Sequence, residues 1–248
     1  MEPLSQSKSK IFASLLHKKY RYKNGLFLVE GEKCVQEALT MNWPFEAIIV
    51  RQDHSFSSEI KQNSPVFEAS VDQFGKLTDQ PHPEGVIAIV KLPFVASYSP
   101  VSAQGASLFL DGIQDPGNVG AIFRVADWFG VRQVILGPGT ADPFHPKVVR
   151  SSMGSLFRMN LLEVTDLEEW LGQESRPIWI ADLDGKPLGE VVPGAGDVLV
   201  IGNEARGISP QLRAHSQLQS IRIPGGSETE SLNAAVATGI LLYRWQMG

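Results

Sequence analysis

Apolar positions along the first ninety residues follow two alternating rhythms. LFLVEG (26–31), FEAIIV (45–50), PVFEAS (65–70) and GVIAIVKL (85–92) are short runs rich in Val, Ile, Leu and Phe, the length and composition of strands. KIFASLLHKKYR (10–21), EKCVQEALTM (32–41), SFSSEIKQ (55–62) and VDQFGKLT (71–78) space their apolar residues by three and four, the period of helices. This alternation predicts an α/β domain of two or three layers, complete at Leu92.

The stretch 93–106 is rich in Pro, Ser, Ala and Gly, lacks an apolar period, and reads as an interdomain linker. A second α/β domain follows over 107–248. Its expected strands are SLFLDGI, VRQVILG, MNLLEV, PIWIADL, DVLVIGNE and SIRIP. Its expected helices are VGAIFRVADWFG, KVVRSSMGSLF, LEEWLGQ, ISPQLRAHS and the last one, SLNAAVATGILLYRWQ. Ala234, Ala235, Ala237 and Gly239 predict close packing of that last helix.

Composition is that of a globular chain: 43% of the 248 residues are hydrophobic and 20% charged. No run approaches the roughly 18–20 apolar residues of a membrane-spanning helix, and the start lacks the apolar segment of a secretory signal. Cys34 is the sole cysteine and cannot form an intrachain disulfide. The expected compartment is the cytoplasm. The basic, serine-bearing start also fits a mitochondrial transit peptide, but Glu2 speaks against it. The net charge of −5 disfavours a nucleic-acid partner, but its distribution does not. Residues 1–25 carry Lys8, Lys10, Lys18, Lys19, Arg21 and Lys23 against Glu2 alone, a net +5 that leaves −10 for the rest. Such an arm fits a phosphate backbone as well as a solvated helix face.

Three groups of residues exceed what a core requires. In DPGNVGAIFRVADWFGV, Asn118 stands where a helix cap belongs, and Val119, Ile122, Phe123, Ala126 and Phe129 form an apolar stripe. Arg124 lies off that stripe, on a face shared with Gly120; an ion pair with Asp127 would account for it equally well. In VLVIGNEARGIS, a strand runs into Gly202, Asn203 and Glu204, followed by Gly207. Strand ends of open α/β sheets are where ligands bind, and these glycines allow close approach or positive φ. In SIRIPGGSETESLN, Ile223 and Pro224 end a strand, and Ser231 or Glu230 caps the final helix with Asn233 in its first turn. A polar loop with turn glycines and a buried docking helix capped by Ser231 would also explain the last two groups. There is no GxGxxG loop after either first strand, no P-loop and no GxSxG around Ser151–Ser152. The five histidines have no partner at ligand spacing, so no metal is expected.

Taken together, Asn118-x-Gly120-x-x-x-Arg124, Ile201-Gly202-Asn203-Glu204-x-x-Gly207, and Ile223-Pro224 followed by Ser231-Leu232-Asn233 resemble the three ordered motifs of the SpoU (TrmH-like) branch of the SPOUT RNA methyltransferases. ADPFHPKVVRSSMGSLFRMNL resembles the same family between the first two motifs, so the likeness runs from Leu108 to the end. RYKNGLFLVEGEKCVQEAL and EGVIAIV resemble the ribosomal-protein-like (L30e/L7Ae-like) RNA-binding domain that precedes many members.

The resemblance implies a catalytic domain with a deep trefoil knot, unusual for proteins, and a homodimer with each active site at the subunit interface. It implies S-adenosylmethionine as methyl donor and a ribose 2'-hydroxyl as acceptor, in ribosomal RNA first, with transfer RNA as the alternative. It assigns Ile201, Gly202, Asn203, Gly207, Ile223, Pro224 and Leu232 to the cofactor, and Arg124, Asn118, Glu204, Ser231 and Asn233 to catalysis. Lys8, Lys18, Lys19, Arg21, Lys23 and Arg150 are the expected RNA contacts. The family places Met after the Ile-Pro pair and Gly two residues later, where this chain has Gly225 and Ser227. That departure leaves open an RNA-binding or ribosome-assembly protein without catalysis on the same scaffold.

Overall fold

The computed structural model describes residues 1–55, 64–99, 105–191, 193–215, 218–226 and 231–247. The chain forms two compact units, residues 1–94 with 142–157, and residues 95–141 with 158–248. The helix expected over SFSSEIKQ lies outside the described residues, as do Ser227 and Glu230. No helix among the described residues is long and apolar enough to cross a membrane.

In the first unit, β5 (Val86–Lys91) lies between β2 (Leu26–Glu30) and β3 (Phe45–Arg51), antiparallel to both. Beyond β3, β4 (Val66–Ala69) and the two-residue β1 (Glu2–Pro3) extend the sheet in parallel. The continuous apolar run Val86–Val90 is wholly buried, because both faces of the sheet are covered. α3 (Glu32–Thr40) buries Cys34, Val35 and Ala38 at helical spacing. α4 (Val71–Gly75) starts in a reciprocal capping box of Ser70 and Gln73.

The helix expected over KIFASLLHKKYR is two, α1 (Gln6–Ser14) and α2 (Lys18–Asn24). The break is held by Arg21, which is 1% exposed. Its Nη1 donates to the carbonyls of Leu15 at 2.9 Å and Leu16 at 3.0 Å, filling acceptors that the end of α1 leaves open. Its Nε donates to Asp142 Oδ2 at 3.1 Å and its Nη2 binds the same oxygen. Tyr22 Oη donates to Asp142 Oδ1 at 3.0 Å. Gly25 then ends α2 with φ 63°, a left-handed conformation that suits glycine. Arg21 is therefore a structural cation and is not available to RNA, which corrects the sequence expectation.

α6 (Pro146–Ser151) belongs to the same unit. Arg150 donates to Glu30 Oε2 at 3.0 Å and pairs with Asp79 at 2.8 Å, while Thr78 Oγ1 donates to Glu30 Oε1 at 2.6 Å. Arg150 is thus committed to two carboxylates rather than left for a phosphate. Trp43 Nε1 donates to the Phe157 carbonyl at 3.1 Å, and the rings of Phe27 and Phe144 lie 5.0 Å apart. Residues 142–157, which the motif order places among the C-terminal elements, pack with the N-terminal ones.

The second unit is a seven-stranded sheet in the order β12-β10-β11-β7-β8-β9-β6, with every pair parallel. The strands are β6 (Ala96–Ser97), β7 (Ser107–Asp111), β8 (Gln133–Leu136), β9 (Asn160–Glu163), β10 (Ile178–Pro187), β11 (Val198–Gly202) and β12 (Leu218–Arg222). Part of the expected linker is built into this unit: β6 pairs with β9, and Tyr98 Oη donates to Glu174 Oε2 at 2.5 Å. Burial and that carboxylate push the Tyr98 phenol up to about 12. Two short helices, α7 (Leu167–Gln173) and α8 (Pro210–Arg213), connect β9 to β10 and β11 to β12 respectively. α5 (Pro116–Trp128) buries Val119, Ile122, Phe123 and Ala126 of the expected stripe, while Phe129 is its half-buried C-cap. α9 (Ala234–Met247) packs on α5, where a Cβ at Gly239 would lie 3.7 Å from Val125 Cγ1.

Chain order moves outward from β7 to β9, then resumes on the other side at β10. The strand order therefore reverses between β7 and β11, the switch point at whose carboxyl ends α/β sheets bind ligands. Asp111, buried at the end of β7, accepts the Ser209 N–H at 2.6 Å, yet burial still pushes its carboxyl above the usual range.

Replacing Arg21 by Ala should destabilise the protein by about 3–5 kcal/mol, because it leaves the Asp142 carboxylate buried without its cation; an unfolding free energy from urea titration within about 1 kcal/mol of the parent would contradict this role. A carboxyl with a raised pKa binds its proton more tightly when folded. Its contribution to stability is present in acid and lost as pH rises from about 4 through the raised folded value. Asp111→Asn keeps an acceptor for Ser209 but does not titrate. Its stability relative to the parent should improve as pH rises above about 4, and parallel stability curves would rule the titration out.

Candidate active site

The carboxyl ends of β7 and β11 carry the site. Asp115, not Asn118, caps α5: its Oδ1 accepts the N–H groups of Gly117 at 2.5 Å and Asn118 at 3.1 Å. Pro116 at the first helical position has no N–H to satisfy and moves the cap upstream of the expected one. The Asn118 side chain is thereby freed for tertiary bonds. Its Nδ2 donates to Glu204 Oε1 at 2.6 Å, and its Oδ1 accepts from Asn233 Nδ2 at 2.8 Å. Asn233, rather than Ser231, caps α9: its Oδ1 accepts Ala235 N–H at 2.9 Å and Val236 N–H at 3.3 Å.

The loop after β11 is closed on itself. Asn203 and Gly207 exchange backbone hydrogen bonds of 3.0 and 2.8 Å. Asn203 Oδ1 accepts from Ala205 and Arg206 N–H, each at 3.0 Å, and its Nδ2 donates to the Gly112 carbonyl at 2.7 Å. Its side chain is spent on the loop, so it positions the site rather than reaching for a cofactor. A Cβ on Gly202 would lie 2.6 Å from the Gly207 backbone, and Gly207 has φ +68°. The close approach inferred for Gly202 is thus an approach of the chain to itself, and Gly207 supplies the turn.

Gln114, Asp115, Asn118, Glu204, Ser231, Leu232 and Asn233 line an open cleft of about 620 Å³. Its described lining holds two carboxylates and no basic side chain, which favours a cationic ligand and disfavours a phosphate. Sequence reasoning missed Gln114 and Asp115; the Asp-Pro pair at the helix start was the available signal for the latter. Ile201 is buried in β11, and Ile223 and Pro224 follow β12, half-buried and exposed respectively. Arg124 stands on the exposed face of α5 and makes no ion pair or hydrogen bond with another described residue. Asp127, its proposed alternative partner, is bonded by Arg158 at 2.7 Å instead. Lys8, Lys18, Lys19 and Lys23 are exposed.

Known proteins resemble this chain in sequence and fold. The SpoU rRNA Methylase family model matches residues 105–243, and the MRM3-like substrate binding domain model matches residues 7–88. A 23S rRNA (guanosine(2553)-2'-O)-methyltransferase, RlmP, of Bacillus subtilis (strain 168) is 32% identical across 98% of this chain and 97% of its own length. A structure of a TrmH-family protein from Porphyromonas gingivalis aligns over 98% of both chains with a TM-score of 0.82 and 36% identity. An AdoMet-bound rRNA methyltransferase from Sinorhizobium meliloti aligns over 100% of this chain and 97% of its own, with a TM-score of 0.85 and 26% identity. With both family models matched in order, and the motif residues of three separate segments bonded around one cleft, this chain belongs to the SpoU rRNA methylase family.

Proposed function

We propose that the protein transfers a methyl group from S-adenosylmethionine to a ribose 2'-hydroxyl of ribosomal RNA. The observation that carries this reading is the hydrogen-bonded series Glu204–Asn118–Asn233, which joins all three motifs at the switch point of the sheet. The B. subtilis relative is named for 2'-O-methylation of 23S rRNA, and the S. meliloti neighbour was crystallised with AdoMet. The cleft suits such a cofactor: its volume lies within the roughly 300–1,000 Å³ of small-molecule sites, its carboxylates match a sulfonium and an ammonium, and Leu232 presents apolar surface. Backbone groups of Ile201, Gly202, Gly207, Ile223 and Pro224, with Leu232, would hold it. The bound sulfonium supplies an electrophilic methyl group.

The protein's share of the work is to orient the hydroxyl and stabilise the charge that develops as it loses its proton. Asn118, Glu204, Ser231 and Asn233 orient ribose and donor. A guanidinium is a fixed cation rather than a base; Arg124 therefore acts by binding a phosphate and the developing alkoxide. Its side chain is free for that task, since no described residue engages it.

In a single chain Arg124 does not line the cleft. Homodimerisation across α5 and α9 would bring in the Arg124 of a second copy. The supporting surface is apolar: Trp128, one turn beyond Arg124, is 85% exposed, and Val236, Ile240 and Tyr243 share the outer face of α9 at helical spacing. The return of the chain from edge strand β12 to α9, which packs on α5 and β11, supports the implied trefoil knot.

The reading is tested by following labelled methyl groups from S-adenosylmethionine into rRNA and tRNA of a strain lacking the protein. Label should enter the deficient rRNA at one ribose and not the wild-type rRNA. Label in tRNA alone would change the substrate, and no transfer together with no calorimetric cofactor binding would leave only an RNA-binding protein. Arg124→Ala should lower the rate at least about 100-fold with cofactor affinity little changed; equal loss of both would refute the assignment. The parent should scatter light as a dimer at micromolar concentration, and Trp128→Glu with Tyr243→Glu should yield folded, inactive monomers. A monomeric, active parent would end the dimer proposal.

A further inference from the structure

α2 has the sequence KKYRYKN, four cations in seven residues with no carboxylate. Only one of them, Arg21, turns inward. At about 100° per residue, the outward positions follow one another around the helix as Lys18, Tyr22, Lys19, Lys23 and Tyr20. Lys19 and Lys23, one turn apart, thus form a like-charged strip with a tyrosine on either side. Like charges at that spacing repel, so a bound anion between them relieves a cost already present in the free protein.

The two rings are exposed, Tyr22 by 48% and Tyr20 by 38%. Tyr22 is also anchored. Its hydroxyl donates to Asp142 Oδ1 at 3.0 Å, and the other oxygen of that carboxylate is held by the buried Arg21. Neighbouring residues of α2 therefore use one buried carboxylate, one to lock the helix and one to fix an aromatic face toward solvent. Lys18 Nζ sits 5.6 Å from the Tyr22 ring centre, a weak exposed cation–π contact. A nucleobase stacked on that face gains more than such a contact, so it displaces the ammonium, which remains close enough to meet a phosphate. The His17 ring meets Tyr20 edge-on at 6.4 Å.

We propose that α2 is a platform for single-stranded RNA, on which Tyr22 stacks an unpaired base while Lys19 and Lys23 hold the adjoining phosphates. This rests on the reading of the protein as one that acts on RNA, and it specifies the form of RNA taken: unpaired nucleotides, since a base inside a duplex is already stacked on its neighbours and offers no free face to a ring.

The test uses the full chain and a single-stranded RNA of about twelve nucleotides carrying one 2-aminopurine, with the same sequence as a duplex for comparison. Binding of the parent should quench the fluorescence of the single strand. Tyr22→Ala should abolish the quench and weaken single-strand binding about tenfold or more, leaving duplex binding unchanged. Tyr22→Phe keeps the ring and loses only the anchor, and should still quench. Unchanged quenching in Tyr22→Ala, or equal loss on both RNAs in a variant with the parent's melting curve, would overturn the stacking role. If an acidic peptide competes with neither RNA in the parent, the surface is selective for nucleic acid; competition at equal strength would reassign it to acidic proteins. Methyl transfer to rRNA is measured in the same preparations. Transfer with an unchanged quench refutes the platform alone, whereas absent transfer with a ring-dependent quench refutes the enzymatic reading alone.

Discussion

Because β7 and β11 pair in parallel, Asp111 and Gly202 finish side by side although they come from distant parts of the chain. Everything at the site is referred to that register. The Ser209 N–H bonds the carboxylate at the end of β7, and the Asn203 amide bonds the next carbonyl, of Gly112. These two bonds fasten the loop after β11 to the neighbouring strand. With the loop fastened, Glu204 is placed to accept from Asn118, and Asn118 to accept from Asn233. A slip of one residue between β7 and β11 would turn the side chains of the shifted strand to the opposite face and dissolve the series.

The same economy appears in the first unit, around a different carboxylate. Asp142 receives Arg21 and Tyr22 and also accepts the Phe144 N–H at 3.1 Å. Three polar groups thus satisfy one buried carboxylate, and Arg21 has carbonyl acceptors as well. Such a pair is a weak source of net stability but is costly to break on one side. Its evident effect is specification: it holds the break between α1 and α2 and ties residues 142–157 to the N-terminal unit.

Charge is divided between two surfaces. The cleft at the switch point carries carboxylates and suits a cation. The outward face of α2 carries lysines and suits a phosphate backbone. A protein with net charge −5 can engage RNA on this basis, since attraction is set by local density over about a Debye length rather than by the sum.

The chain's own pattern determined most of the architecture. The apolar runs that become β2, β3, β5, β7, β8 and β11 announce buried strands, and the stripe on α5 announces its inner face, because hydrophobic periodicity is a local property. The three motifs with Arg124, Glu204 and Asn233 were legible for the same reason: each is a short contiguous string. What the pattern could not show were partners. Arg21 and the lysines beside it look alike in sequence, yet one is buried on Asp142 and the others face solvent. Asn118 looks like a cap, yet Asp115 takes that bond and releases Asn118 to join Glu204 to Asn233. The role of a polar side chain is decided by which groups the fold brings within about 3 Å of it, and that distance is set by packing between segments far apart along the chain.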